Sequence, residues 1–385
     1  MKYYPLNERL SKVDITEAAI TSERIAEGRL GSYQNENQGR VNPQLREKAE
    51  AIAAQIKSAK ENGRQVICAF GAHAIKNGLG PLLGEMLEKG WFTHLASNGA
   101  AVIHDWEFAW LGKSSEDVRQ NVACGRFGTW EETGLCINLA LACGAYGDLG
   151  YAASVGKMIA EGGVMIPGRE ELLEHKNSVS KPDISMDIVS ASIDLYELIE
   201  AERIPSGFLS IPHNYSQYSL LAAAHRAEKP VTCHPMFGHD IIYTHRANRG
   251  AVIGRTAERD FLRFVSGVQG LDGGVYLSVG SAVMSPMIFE KALSMARNAS
   301  GRDNAIRDCG IYVVDLQEAS WDWSAKQGPA GGMTESSPAE PPMNSPAYYL
   351  RYMKTFSRMG CRTEYISADN RDFFICLYRA LAGCL

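Results

Sequence analysis

Residues 92–107 read FTHLASNGAAVIHDWE. A short apolar run of strand character ends in Ser97-Asn98-Gly99-Ala100-Ala101 and is followed at once by His104, Asp105 and Glu107. A turn needs a glycine, but it needs neither a landing of small residues nor three titratable groups behind it. At the carboxyl end of a buried parallel strand, small residues let the chain approach a ligand closely.

The flanking sequence supports a parallel sheet. QVICAF (65–70) is a β-branched apolar run closed by Gly71, and GLGPLLGEMLEKG (78–90) has helical spacing. EFAWLG reads as the start of another helix, and NPQLREKAEAIAAQIKSAKENG (42–63) as a helix capped by Asn42, with Pro43 inside and a stop at Gly63. Further on, a helix at 219–230 feeds the strand VTCHP (231–235). GGVYLSVGSAVMSP (273–286) and GIYVVDLQ (310–317) are strands, and TEYISADNRDFFICLYRAL closes with strand, turn and helix. The alternation implies an α/β fold, a Rossmann-like parallel sheet flanked by helices.

Outside this pattern, residues 1–40 read as a polar N-terminal arm and 41–385 as one α/β domain. Within it, 113–205 is a helical excursion whose SSEDVRQNVACG segment opens on a serine cap, and 167–185 is an exposed polar stretch. The Gly/Pro/Ser-rich segment 326–346 reads as a mobile loop.

With 45% apolar and 22% charged residues and a net charge of -5, the 385-residue chain has the profile of a soluble globular protein. Nothing in that charge favours nucleic acid or an anionic membrane surface. No run of about 18 apolar residues occurs and the first residues lack a signal-peptide core, so the expected compartment is cytoplasmic. Nine cysteines without a CxxC pair fit reduced thiols, with Cys124, Cys136 and Cys143 expected in the core.

Five strand ends carry small residues with an acid or histidine close behind: 97–107, 233–240 (CHPMFGHD), 280–285, 315–318 (DLQE) and 368–369. Together they favour a dinucleotide or similarly sized ligand over ordinary βα turns, although no GxGxxG follows a strand. His213, His234, His239 and His245 lack the HxH or HExxH spacing of a zinc site, so no metal is expected. Ser281 lacks a GxSxG elbow. Trp321, Asp322 and Trp323 could hold a cation or anchor the following segment.

From about residue 41 onward the chain resembles the deoxyhypusine synthase family. FGAHAIKNGLGPLL (70–83), SNGAAVIHD (97–105), AAAHRAEKPVTCHPMFGHDII, VYLSVGSAVMSPMIFEKAL, YVVDLQEASWDWSA and SADNRDFF follow one another in the order of that family's segments. The resemblance implies NAD as cofactor, with Ser97, Asn98, Gly99, Asp105, Gly280, Ser281 and Asp369 on it, and a homotetramer or dimer with shared sites. Asp240 falls where the family holds an amine. Two departures matter: the family's Lys-His pair is Ser285-Pro286 here, and Leu350 and Tyr352 stand over the Trp and catalytic Lys of its Trp-Gly-Lys motif. Lys354 lies two residues on; on a strand it would share a face with Tyr352 at about 7 Å. Tyrosine cannot form the imine that such a lysine forms. The expected function is therefore an NAD-dependent transferase or oxidoreductase acting on a small amine- or hydroxyl-bearing substrate, not deoxyhypusine formation. His104, His239, Asp240 and Lys354 are the catalytic candidates, with His213 in reserve. The alternative is a non-catalytic NAD-sensing oligomer.

Overall fold

The computed structural model describes residues 1–29, 42–178, 185–301, 305–318, 321 and 341–383. Its centre is a six-stranded sheet: β1 (Val66–Phe70), β2 (His94–Ser97), β3 (Val231–Cys233), β4 (Val275–Val279), β5 (Gly310–Asp315) and β6 (Arg362–Ser367). All neighbours pair in parallel, in the order β3-β2-β1-β4-β5-β6. This is the strand order of the doubly wound dinucleotide-binding sheet, and the order reverses between β1 and β4.

Alternation along the strands divides the core between two faces. Val66, Cys68 and Phe70 of β1 join one cluster with the helices Pro43–Glu61, Gly80–Glu88 and Asn370–Ala382. Ile67 and Ala69 point the other way, against Phe264 and Val268 of the helix Gly250–Gln269 and Phe289 and Leu293 of the helix Met284–Ser300. Strands buried on both faces read as continuous apolar runs, which is why β1, β4 and β5 were legible.

The long insert between β2 and β3 is helical, with Glu131–Tyr146, Tyr151–Glu161, Arg169–Lys176 and Met186–Ala201 as its longer described helices. The 167–185 stretch is thus partly a helix, and Leu172 is buried. EFAWLG ends a helix rather than starting one: the helix runs Gly99–Leu111, directly off β2. Downstream, Ser114 pairs in a short strand with Val13, and the next helix is capped by Asp117.

Residues 1–29 are not a solvated arm. Leu6, Ile15, Ile20 and Ile25 lie in the same core as the sheet. The segments 31–40 and 322–340, which hold the end of the expected arm, Asp322, Trp323 and most of the expected loop, lie outside the described residues. Trp321 packs against the second core cluster. The amino ends of β5 and β6 are joined by a disulfide, Cys309–Cys361, where reduced thiols were expected. Cys124 is exposed, and Cys136 and Cys143 are half-buried. No described helix is long and apolar enough to cross a membrane.

Candidate functional site

The chain leaves β1 and β4 at the point where strand order reverses, and in such sheets the ligand crevice opens there, outside the carboxyl ends. Gly71 follows β1 and Gly280 follows β4. Each is pinned by its amide, Gly71 donating to the Val279 carbonyl at 3.0 Å and Gly280 to that of Val314 at 2.8 Å. A methyl group on Gly71 would lie 2.0 Å from the Gly280 carbonyl oxygen, so no side chain fits between the two turns. Gly280 itself has φ +58°, the left-handed region that favours glycine.

Polar groups gather around this floor. The Ser281 hydroxyl accepts from the Ser285 amide (3.1 Å) at the start of the helix Met284–Ser300. Asn77 donates to Asn370 (3.1 Å), and a methyl on Gly280 would sit 4.0 Å from the Asn370 amide nitrogen. Asp369 caps the helix Asn370–Ala382 through the Arg371 amide and holds the Arg371 guanidinium at 3.1 and 3.2 Å. The structure thus brings Gly280, Ser281 and Asp369 together. It adds Gly71, Asn77, Asn370 and Arg371, which sequence reasoning had not assigned. The signal for Gly71 was a glycine directly behind an apolar strand; nothing local marked the two asparagines. Gly71→Ala is expected to lower stability by about 1–3 kcal/mol, because backbone rather than a mobile side chain must give way. An unchanged urea midpoint would refute this contact.

A second group lies at the ends of β2 and β3. Ser97 donates its hydroxyl to the Phe70 carbonyl (2.7 Å) and accepts the His234 amide at its own carbonyl (2.8 Å), so it ties strands together. Asn98 caps the helix Gly99–Leu111 through the Ala101 amide at 3.0 Å. Against Gly99 stands Asp240: a methyl there would meet the Asp240 carboxylate at 2.2 Å. Asp240 is 8% exposed and accepts the Tyr243 hydroxyl at 3.1 Å. Burial pushes its carboxyl up to about 6, against the Tyr243 hydrogen bond and the His239 charge, which pull it down. Burial and Asp240 in turn drive the Tyr243 hydroxyl upward. Phe237 stacks on Tyr243 at 5.0 Å, and His239 is exposed on the same loop.

The other candidates lie elsewhere. Asp105 points into the insert: it accepts the Ser219 hydroxyl (2.5 Å) and the amides of Leu220 (2.9 Å) and Leu221 (3.1 Å), capping the helix Leu220–Arg226. His104 meets Ser114 through Nδ1 at 2.7 Å. Ser114 donates to Glu107 (2.6 Å), so its oxygen accepts from His104 and the imidazole carries its proton on Nδ1. Burial pushes this imidazole down to about 4. His213 is buried edge-on to Trp106, and burial pushes it down to about 4 as well. Lys354 is on a helix, Arg351–Ser357, not on a strand; its ammonium lies 3.7 Å from the centre of the Tyr348 ring. Tyr352 is buried, donates to Gln317 (2.8 Å) and stacks on Tyr365. The helical turn separates Lys354 from Tyr352 in direction, so the two do not share a face.

No family model matches the chain, and no curated protein matches it. Among solved structures it is similar to apo ArgZ, an arginine dihydrolase from the ornithine–ammonia cycle in cyanobacteria, at 12% identity over 88% of this chain and 33% of that one, TM-score 0.39. It is similar to a conserved putative LOR/SDH protein from Methanococcus maripaludis S2 at 12% identity over 88% and 70%, TM-score 0.40. A third is AgrE in ternary complex with ornithine and NAD+, at 12% identity over 72% and 28%, TM-score 0.35. The chain spans about a third of the length of ArgZ. Likeness at this level carries no argument about function.

Proposed function

We propose that this chain is an NAD-binding enzyme whose cofactor lies across the carboxyl ends of β1 and β4. The observation that carries the reading is the reversal of strand order at a floor made of two glycines, where one added methyl would close the gap. A dinucleotide fits the chemistry of that edge. The Ser281 hydroxyl, at the start of the helix Met284–Ser300, has its proton to give to a phosphate, and Asn77 and Asn370 offer hydrogen bonds to a ribose or amide. Asp240 occupies the start of the helix Gly99–Leu111, so an anion is disfavoured there and the phosphates belong on the β4 side.

NAD supplies a hydride acceptor when bound. The protein's part is proton management. Asp240 is a carboxylate above about pH 6, held by Tyr243, on which Phe237 stacks, and it can hold an ammonium or take the proton from an amine or hydroxyl. His239, exposed beside it, can pass that proton to water. This reading makes the substrate a small amine- or hydroxyl-bearing molecule and keeps from the deoxyhypusine synthase resemblance the cofactor, the amine position at Asp240 and a homo-oligomer with shared sites. It sets aside Lys354 as the imine-forming residue. His104, Asp105 and Lys354 being engaged elsewhere favours, as a second reading, a binding module that senses NAD without turnover.

Calorimetric titration with NAD tests the site. Micromolar binding is expected, weakened about tenfold by Asn370→Ala and unchanged by Asp240→Asn. No binding to the wild type would sink both readings. Binding without any amine- or alcohol-dependent appearance of reduced nicotinamide would leave only the sensor.

A further inference from the structure

The opposite, amino edge of the sheet carries a cavity of about 1000 Å³ bounded by the starts of β1, β2 and β3 and the helix Gly250–Gln269. Its charged lining is one-sided. Lys60, Lys229 and Arg263 face it, and Glu228 is the only acid among the residues that line it. Among the described residues the side chains of Lys229 and Arg263 make neither an ion pair nor a hydrogen bond. Lys60 gives one proton to the Lys89 carbonyl (2.7 Å) and keeps two donors. Three cations with one counter-charge in a concave, half-apolar site are the usual arrangement for holding an anion, and a guanidinium beside two ammoniums suits phosphate oxygens.

A second feature points to a ligand. His94, only 2% exposed, is part of the cavity wall. Its Nε2 is taken by the Thr232 hydroxyl at 2.9 Å, but Nδ1 makes no hydrogen bond among the described residues and lies near Gly267, another wall residue, where a methyl would approach it to 3.0 Å. Burial, with the charge of Arg263, keeps this imidazole neutral. A ring nitrogen without a hydrogen bond, on an otherwise buried histidine that forms part of a cationic cavity wall, is open to a partner from the cavity.

We propose that this cavity is a second ligand site, for a small phosphorylated molecule whose phosphate is held by Arg263, Lys229 and Lys60 and whose remaining part reaches His94. The site is remote from the carboxyl-edge crevice and does not depend on it. Thr232 also contacts His234 (3.1 Å), whose amide is bonded to Ser97, so the cavity wall connects through the sheet to the loop that carries Asp240.

The test uses the full chain, with inorganic pyrophosphate and AMP as probes in calorimetry. Wild type is expected to bind at least one at submillimolar concentration. Arg263→Ala with Lys229→Ala should weaken binding by about tenfold or more, and Glu228→Gln should strengthen it several-fold. AMP binding more tightly than pyrophosphate assigns the organic part to the His94 end; equal binding assigns the anion alone, and either upholds the site. Absence of binding by the wild type up to about 10 mM, or equal affinity in the folded double variant, overturns it. NAD binding by the same double variant is expected to be intact, which separates failure here from failure of the crevice.

Discussion

Arg9→Ala is expected to destabilise the protein by about 3–5 kcal/mol, the cost of leaving a buried charge without its partner. Arg9 and Glu107 form an ion pair at 2.7 Å with both side chains 1% exposed. The pair is the hub of a buried network. Glu107 also accepts the hydroxyls of Ser114 (2.6 Å) and Thr133 (3.0 Å), and Arg9 reaches the Lys113 carbonyl and lies over the Trp130 ring at 5.9 Å. Removing the guanidinium leaves a carboxylate that is only 1% exposed without its counter-charge. Replacing both partners, Arg9→Met with Glu107→Gln, should recover most of the loss, since the net worth of a buried pair against apolar packing is small. Urea unfolding of the single and double variants measures it. A single variant within about 1 kcal/mol of wild type would show the pair to be solvated. Because His104 hangs from Ser114, the same variants test its structural role: the imidazole's pKa should move back toward its ordinary value as the network opens.

That network explains where sequence reading stopped. The strand-to-helix passage at 92–111 was legible because a buried strand, a capping asparagine and a run of small residues are local signals. What lay behind it was not. His104, Asp105 and Glu107 stand within four residues on one helix, and that spacing sends them to different sides. Glu107 and His104 turn toward Arg9 and Ser114, and Asp105 toward Ser219. Their partners lie up to 116 positions away, so nothing nearby could distinguish a capping carboxylate from a catalytic one. The N-terminal segment misled for a related reason: Leu6, Ile15 and Ile25 sit on short elements, Ile20 lies between two of them, and only the tertiary fold shows them to be core. Asp240 was singled out by the resemblance, yet its place against Gly99 depends on a contact 141 positions apart that the sheet alone creates. The Lys354 reading failed on secondary structure, since YYLRYMK has aromatic, strand-like composition but folds as a helical turn and a short helix.

Asp260→Asn should flatten the dependence of stability on pH. Asp260 is fully buried in the helix Gly250–Gln269, where one carboxylate oxygen accepts the amides of Ala152 (2.9 Å) and Cys233 (2.8 Å) and the other has no hydrogen bond. Burial pushes its carboxyl up to about 7, opposed by those amides and by Arg263. In the unfolded chain an aspartate titrates near about 4. Between these values the folded state binds the extra proton, so stability falls as pH rises from about 4 to 7 and levels off above. Asp105 and Asp240, both pushed up to about 6, add slopes of the same sign over a narrower range. The amide cannot ionise and therefore removes the largest of the three slopes. The variant should be slightly less stable than wild type at about pH 5, because its NH2 group brings two protons without an acceptor where the protonated carboxyl brings one. It should regain on the order of a few kcal/mol relative to wild type by about pH 8. Urea midpoints at the two pH values decide it, and parallel curves would mean that Asp260 is ionised throughout. The same carboxyl joins the helix Tyr151–Glu161 to the end of β3. Its ionisation above about pH 7 should therefore loosen first the junction from which the His234–Asp240 loop departs.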